Sequence, residues 1–197
     1  MSDRRRQRIG ILGGTFNPIH TGHLLIAQDA LEAARLDHVL FIPSATPPHK
    51  ALEGNVSRTH RLRMVKIAIR GNERFAVDDL EIRRGGKSFS VDTLAELRRR
   101  YPRATFHFII GADSLSELHL WKDARRLVKL CRFIAITRPG HSARPARLPG
   151  LRYQLLDTHP CGVASRDIRA RAARGQSIRY LVPDAVLRYI ERQELYQ

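Results

Sequence analysis

The stretch Gly13–His23, Gly-Gly-Thr-Phe-Asn-Pro-Ile-His-Thr-Gly-His, gathers residue types that handle a phosphate. Gly13 and Gly14 carry no side chain, so backbone can approach a ligand closely. His20 and His23 are three apart at the predicted start of a helix, so both rings can face one anion. Unpaired N–H groups and the positive end of the helix dipole suit the same ligand. A single histidine at a helix start is most often a cap or a surface group. Two of them bracketing a glycine, just after a Gly-Gly turn, favour a shared ligand. The segment is neither the dinucleotide fingerprint G-x-G-x-x-G nor the P-loop, and it lacks the H-E-x-x-H of a zinc site.

These residues need a scaffold, and the rest of the chain reads as one. Apolar, partly β-branched runs at Arg8–Leu12, His38–Pro43, Arg74–Val77, Thr105–Ile110, Arg132–Thr137 and Leu151–Leu156 are predicted strands. Amphipathic spacing predicts helices over His23–Arg35, Arg58–Arg70, Ser90–Tyr101, Trp121–Leu130, Ser165–Arg174 and Pro183–Arg192. Ser165 is the expected N-cap of its helix, and Pro183 fits a first turn. The proline-rich stretch Arg138–Pro149 is read as a loop. Strands alternating with helices predict an α/β fold: a doubly wound, mostly parallel sheet with Rossmann-like topology and helices on both faces. In such a sheet, ligands bind where strands end, which is where Gly13–His23 begins its turn.

The chain has 197 residues with 35 Lys+Arg against 19 Asp+Glu, a net charge of +16. Only Lys50, Lys66, Lys87, Lys122 and Lys129 are lysines; the arginines are spread along the sequence. The runs Arg4–Arg6 and Arg98–Arg100 contain no interleaved aromatics, so a solvated arginine-biased surface is expected rather than a nucleic-acid stripe. The same field would attract anionic ligands. No apolar run approaches the ~20 residues of a membrane span. The basic start is not followed by a signal-peptide core. Cys131 and Cys161 are too few for a disulfide framework. A cytoplasmic protein is expected, with no membrane partner.

GGTFNPIHTGH resembles the glycine-rich turn and H-x-G-H signature of the nucleotidyltransferase superfamily. Further blocks, in order, are similar to the nicotinate-mononucleotide adenylyltransferase family: FIPSATPPHK (Phe41–Lys50), KSFSVDTL (Lys87–Leu94), FIIGADSL (Phe108–Leu115), LHLWKDARRL (Leu118–Leu127) and SIRYLVPDAVLRYI (Ser177–Ile190). The resemblance implies one nucleotidyltransferase domain over 1–197, with a basic arm (1–7) and a C-terminal helical segment (165–197). It implies adenylyl transfer from ATP to nicotinate mononucleotide, with Mg2+ carried by the ATP phosphates.

By this resemblance His20 and His23 are the catalytic donors. Gly13, Gly14, Thr15, Phe16, Gly111, Asp113, Ser165 and Arg169 join them in binding ATP. His49, Lys50, Phe89, Ser90, Trp121 and Lys122 bind the mononucleotide. The chain has Phe89 and Ser90 where the family has Tyr and Thr. It departs again at Ala164 and Arg166, within a Ser-rich phosphate motif. Two rivals stay open: a phosphopantetheine-type adenylyltransferase of the same superfamily, and a non-catalytic RNA- or nucleotide-binding module. Monomer and homo-oligomer are equally open.

Overall fold

A computed structural model describes residues 6–47, 56–137, 145–159 and 161–197. The elements are β1 (Arg8–Gly14), α1 (Thr21–Ala33), β2 (His38–Pro43), α2 (Arg58–Ala68), β3 (Phe75–Val77), α3 (Leu80–Arg84), α4 (Ser90–Arg100) and β4 (Thr105–Gly111). They continue with α5 (Ala112–Ser116), a 3-10 turn (Leu118–Leu120), α6 (Ala124–Leu130), β5 (Arg132–Thr137), β6 (Tyr153–Asp157), α7 (Ser165–Ala172) and α8 (Asp184–Arg192). The strands form a six-stranded sheet in the order β3-β2-β1-β4-β5-β6. The β1–β4, β4–β5 and β5–β6 pairings are parallel. This is the Rossmann-like order expected of the α/β pattern. Among the described residues, no helix is long and apolar enough to cross a membrane.

Two compact units emerge within the chain. Unit one comprises Met1–Leu12, Ala27–Leu40 and Phe89–Pro160; unit two comprises Gly13–Ile26, Phe41–Ser88 and Cys161–Gln197. In unit one the central strands carry near-continuous apolar runs because both faces are covered. Ile9, Ile11, Phe106 and Phe133 are almost wholly buried there. Gly10 lets the next layer come close: a Cβ on it would lie 2.7 Å from Leu36 Cδ1 and 3.1 Å from Val39 Cγ2. Helix α4 buries Val91, Leu94 and Leu97 and ends on Arg98–Arg100, cations that complement its dipole. Unit two centres on Phe16, Ile19, Phe41, Met64, Val65 and Val186.

Several boundaries differ from the sequence expectation, each for a local reason. Helix α1 starts at Thr21, two residues before His23. Helix α6 starts at Ala124 rather than Trp121, because Trp121 is extended and Asp123 is left-handed with φ 48°. Helix α7 begins at Ser165 itself, so Ala164 takes the capping position and Ser165 is the first helical residue, not the N-cap. Pro183 caps α8. The short helices α3 and α5 were not anticipated. Each has five residues, too few to show a period.

Candidate active site

The turn between β1 and α1 has its carbonyl oxygens tied back into unit two. The Ser44 N–H donates to Gly14 O at 2.9 Å. Arg61 Nη1 donates to Thr15 O at 2.6 Å and Nη2 to Ala45 O at 3.1 Å. Arg169 Nη1 donates to Asn17 O at 2.8 Å, and Ser165 Oγ to Pro18 O at 2.9 Å. The Tyr196 hydroxyl donates to Asn17 Oδ1 at 2.8 Å. Donors from α2, α7 and the C-terminus thus fix one short turn. Phe16 is left-handed at φ 48° and buried, a conformation costing about 1–3 kcal/mol for a bulky residue unless its surroundings hold it. Gly14 makes room for it: a Cβ there would lie 3.2 Å from the Phe16 ring.

The two histidines follow. The His20 N–H donates to His23 Nδ1 at 3.2 Å, while the His23 N–H donates to His20 O at 3.0 Å. Because His23 Nδ1 accepts, its ring proton is assigned to Nε2. The two ring centroids are 3.7 Å apart, tilted by 31°. The Phe16 ring meets His23 edge-on at 5.1 Å. Burial lowers the His20 pKa from 6.5 to about 4. Burial, then repulsion from His20, holds His23 well below 6.5. At neutral pH the site therefore presents two uncharged imidazoles. A nearby anion would raise both pKa values again. Among the described residues nothing bonds His20 Nδ1, although the residue is 6% exposed. Gly22 lets the helix start come close here: a Cβ on it would sit 3.1 Å from that nitrogen and 3.2 Å from Cys161 Sγ.

Unit one holds a second cluster. Lys122 Nζ donates to Asp92 Oδ2 at 2.9 Å and lies 4.6 Å from the Phe89 ring centroid. Ser90 opens α4 directly after Phe89. Trp121 precedes Lys122 and packs edge-on against Phe108 at 6.2 Å. Gly111 ends β4 and caps α5; a Cβ there would meet nothing within 4 Å. Asp113 is exposed on the first turn of α5, its carbonyl accepting from Ser116 Oγ at 2.6 Å. His49 and Lys50 lie outside the described residues.

The chain matches the cytidylyltransferase-like family model over residues 11–171. It is 47% identical over 189 residues to a protein of Exiguobacterium sibiricum, covering 96% of this chain and 98% of that protein. It is 45% identical over 201 residues to one of Synechococcus sp., covering 98% and 97%. Both relatives are named "Probable nicotinate-nucleotide adenylyltransferase". The chain belongs to the nicotinate-nucleotide adenylyltransferase family. Its fold is similar to that of Plasmodium falciparum nicotinic acid mononucleotide adenylyltransferase in two structures. With NaAD the TM-score is 0.79 at 21% identity, covering 97% of this chain and 98% of that one. With APC the TM-score is 0.76 at 20% identity, with the same coverage.

Set in this family, the chain's departures become concrete. Ala164 still leaves the helix-start amides in place, without a side-chain cap. The Arg166 side chain is 80% exposed and pairs with Asp167 at 3.3 Å, so it points to solvent. Ser165 and Arg169, expected on ATP phosphates, bond the carbonyls of the glycine-rich turn.

Sequence reasoning missed the donors behind that turn. Arginine was read as surface charge, yet Arg61 is 0% exposed. Its position beside Met64 and Val65 on the buried face of α2 was the available signal. Burial of an ion costs several kcal/mol. The bonds to Thr15 O and Ala45 O offset part of it, at roughly 1.5–3 kcal/mol each. Burial lowers the Arg61 pKa, opposed by the nearby Tyr196 hydroxyl. Tyr196, the penultimate residue, gave no sequence signal at all.

Proposed function

We propose that this protein transfers the adenylyl group of ATP to nicotinate mononucleotide, giving nicotinate adenine dinucleotide and pyrophosphate, a step of NAD biosynthesis. One observation carries the reading within this family: two neutral, stacked imidazoles at the start of α1, beside a turn whose carbonyls are occupied. Such a site presents N–H donors to an anion and no activated nucleophile.

That is the requirement of the reaction. A 5′-phosphate oxygen of the mononucleotide attacks the α-phosphorus of ATP. The bond from that phosphorus to the bridging oxygen breaks, and the electron pair leaves with pyrophosphate. The nucleophile is already an anion, so no side chain has to deprotonate it. The chain aligns the two phosphates and stabilises charge on the transferred group. His20 and His23 donate to the oxygens of the α-phosphate. Ser165 and Arg169, which bond Pro18 O and Asn17 O, hold the triphosphate together with the turn Gly13–Phe16.

Gly111 and Asp113 take the adenosine half. Open space at Gly111 admits a ligand, and the exposed Asp113 carboxylate accepts from ribose hydroxyls. Trp121 and Phe89 offer a flat surface to the nicotinate ring. Backbone N–H groups near Ser90 and Lys122 meet its carboxylate, and His49 and Lys50 meet its phosphate. Magnesium would arrive on the ATP phosphates and neutralise part of their charge. We place the reaction in the cytoplasm.

The test is pyrophosphate release from ATP and magnesium with a panel of phosphorylated acceptors. Release with nicotinate mononucleotide alone supports the reading. Release only with phosphopantetheine, or none together with salt-sensitive RNA binding, overturns it.

A further inference from the structure

The only wholly buried arginine among the described residues stands behind the glycine-rich turn, and the reaction as written gives it no task. Arg61 has two partners, both neutral carbonyls: Thr15 O at 2.6 Å and Ala45 O at 3.1 Å. Its Nε has no partner, and no carboxylate among the described residues pairs with it. A cation buried without a counter-ion lacks part of what would stabilise it. The direction of the missing charge can be read from the backbone. The Thr15–Phe16 peptide is trans, the cis bond being Asn17–Pro18. In a trans peptide the carbonyl and the following N–H point opposite ways. With Thr15 O held by Arg61, the Phe16 N–H is aimed away from the guanidinium. Among the described residues it has no acceptor.

We propose that Arg61 is a positioning residue for the polyphosphate. It holds the carbonyls of Thr15 and Ala45, aims the Phe16 N–H outward as an anion donor, and places a buried positive charge behind that peptide. The anion it serves is a polyphosphate oxygen, so the proposal rests on the phosphate-transfer reading above. Arg61 also reaches the chemistry by a second route. Thr15 leads directly into Phe16, held left-handed, whose ring packs edge-on against His23. Loss of the fork therefore loosens both an anion donor and the wall of the imidazole pair. The Ala45 bond extends the clamp to the segment after β2, where the Ala45 N–H donates to Ser88 Oγ and the Ser88 N–H to Thr46 O. A lysine cannot replace this, because one ammonium lacks the planar fork that spans two carbonyls.

The experiment uses the full chain and inorganic pyrophosphate with magnesium as probe. Arg61→Met keeps the apolar stem and removes charge and fork; Arg61→Lys keeps the charge. Titration calorimetry should show pyrophosphate binding weakened at least tenfold in Arg61→Met and three- to tenfold in Arg61→Lys. Adenosine binding should stay within twofold of wild type in both. In kinetics kcat should fall at least tenfold in each variant, measured below its melting temperature. A merely structural arginine would lower the melting temperature and leave these ratios unchanged, which overturns the proposal. If Arg61→Met does not fold, Arg61→Lys decides by the same criteria. The wild-type chain offers a further check, since its Phe16 amide resonance should shift on pyrophosphate titration. No shift refutes the assignment. Pyrophosphate binding that depends on Arg61, with no adenylyl transfer to any acceptor, would sink the reaction and leave the positioning role standing.

Discussion

The rings of His20 and His23 stack at 3.7 Å while the backbone N–H of His20 is received by His23 Nδ1. One bond thus sets the orientation and tautomer of His23, while burial, joined at His23 by repulsion from His20, keeps both rings neutral in the free protein. Replacing either residue with alanine should reduce kcat about 10- to 100-fold, the worth of one hydrogen bond to a charged group. ATP affinity should change less. A variant with wild-type kcat in steady-state assays would remove that residue from the mechanism.

The same neutrality predicts an acid-sensitive fold. His20 and His107 have folded pKa values of about 4, against 6.5 when unfolded, and His23 lies well below 6.5. At His107 burial is the first cause, with Arg8 and Arg132 adding to it. Below 6.5 the unfolded chain binds protons that the folded chain refuses. Stability is thus fully present above 6.5 and is lost as pH falls toward 4. Each histidine contributes up to about 1.4 kcal/mol per pH unit in that window. Urea unfolding at pH 8 and pH 5 should show a clear drop in midpoint. His107→Gln, outside the candidate site, should reduce that drop; equal midpoints for the wild-type protein would contradict the assignment.

Gly22→Ala should separate stability from activity. Alanine favours a helix over glycine by up to about 1 kcal/mol, so the melting temperature should hold or rise. The new Cβ would lie 3.1 Å from His20 Nδ1 and 3.2 Å from Cys161 Sγ. The thiol can rotate away, whereas the stacked imidazole cannot do so without tilting. A kcat loss of about tenfold is expected from displacement of a reacting group. A fully active variant would show that the His20 ring position is not critical.

Arg169→Ala and Ser165→Ala test the bracing of the turn. Each removes a bond to a turn carbonyl, at Asn17 O or Pro18 O. The arginine change should cost about 1.5–3 kcal/mol and the serine change about 1 kcal/mol of stability. Both should raise KM for ATP while leaving KM for the mononucleotide within twofold. An unchanged ATP KM in Arg169→Ala would confine that residue to structure.

Trp121→Ala should weaken mononucleotide binding and spare ATP, because its proposed role is a flat surface for the pyridine ring. Donors around Ser90 should favour a carboxylate over an amide. Mispairing such a bond costs roughly 2–4 kcal/mol, which leaves a preference for nicotinate over nicotinamide mononucleotide of at least about tenfold in kcat/KM. A competition assay showing equal use of the two would refute the selectivity.

Much of this was already written in the chain. The apolar runs of β1, β2, β4 and β5 identify buried parallel strands, because both faces of such strands exclude water. The Gly-Gly turn and the two histidines mark the proposed phosphate site, because glycine spacing and helix geometry act over a few residues. Boundaries that depend on one dihedral were missed, as at Asp123, whose left-handed conformation delays α6 past Trp121.

Tertiary structure alone decided what those local residues mean. Whether an arginine is solvated or buried is a property of what packs on it. Arg61, Arg166 and Arg169 look alike as letters, yet the first is enclosed, the second faces solvent and the third bonds Asn17 O. Tyr196 reaches Asn17 across 179 positions of sequence, a pairing no periodicity encodes. The charge state of His20 and His23 was likewise not in the sequence, since the pKa follows from how much water the fold removes around each ring. Sequence placed the two histidines beside the turn; long-range packing set their protonation and tied down the turn's carbonyls.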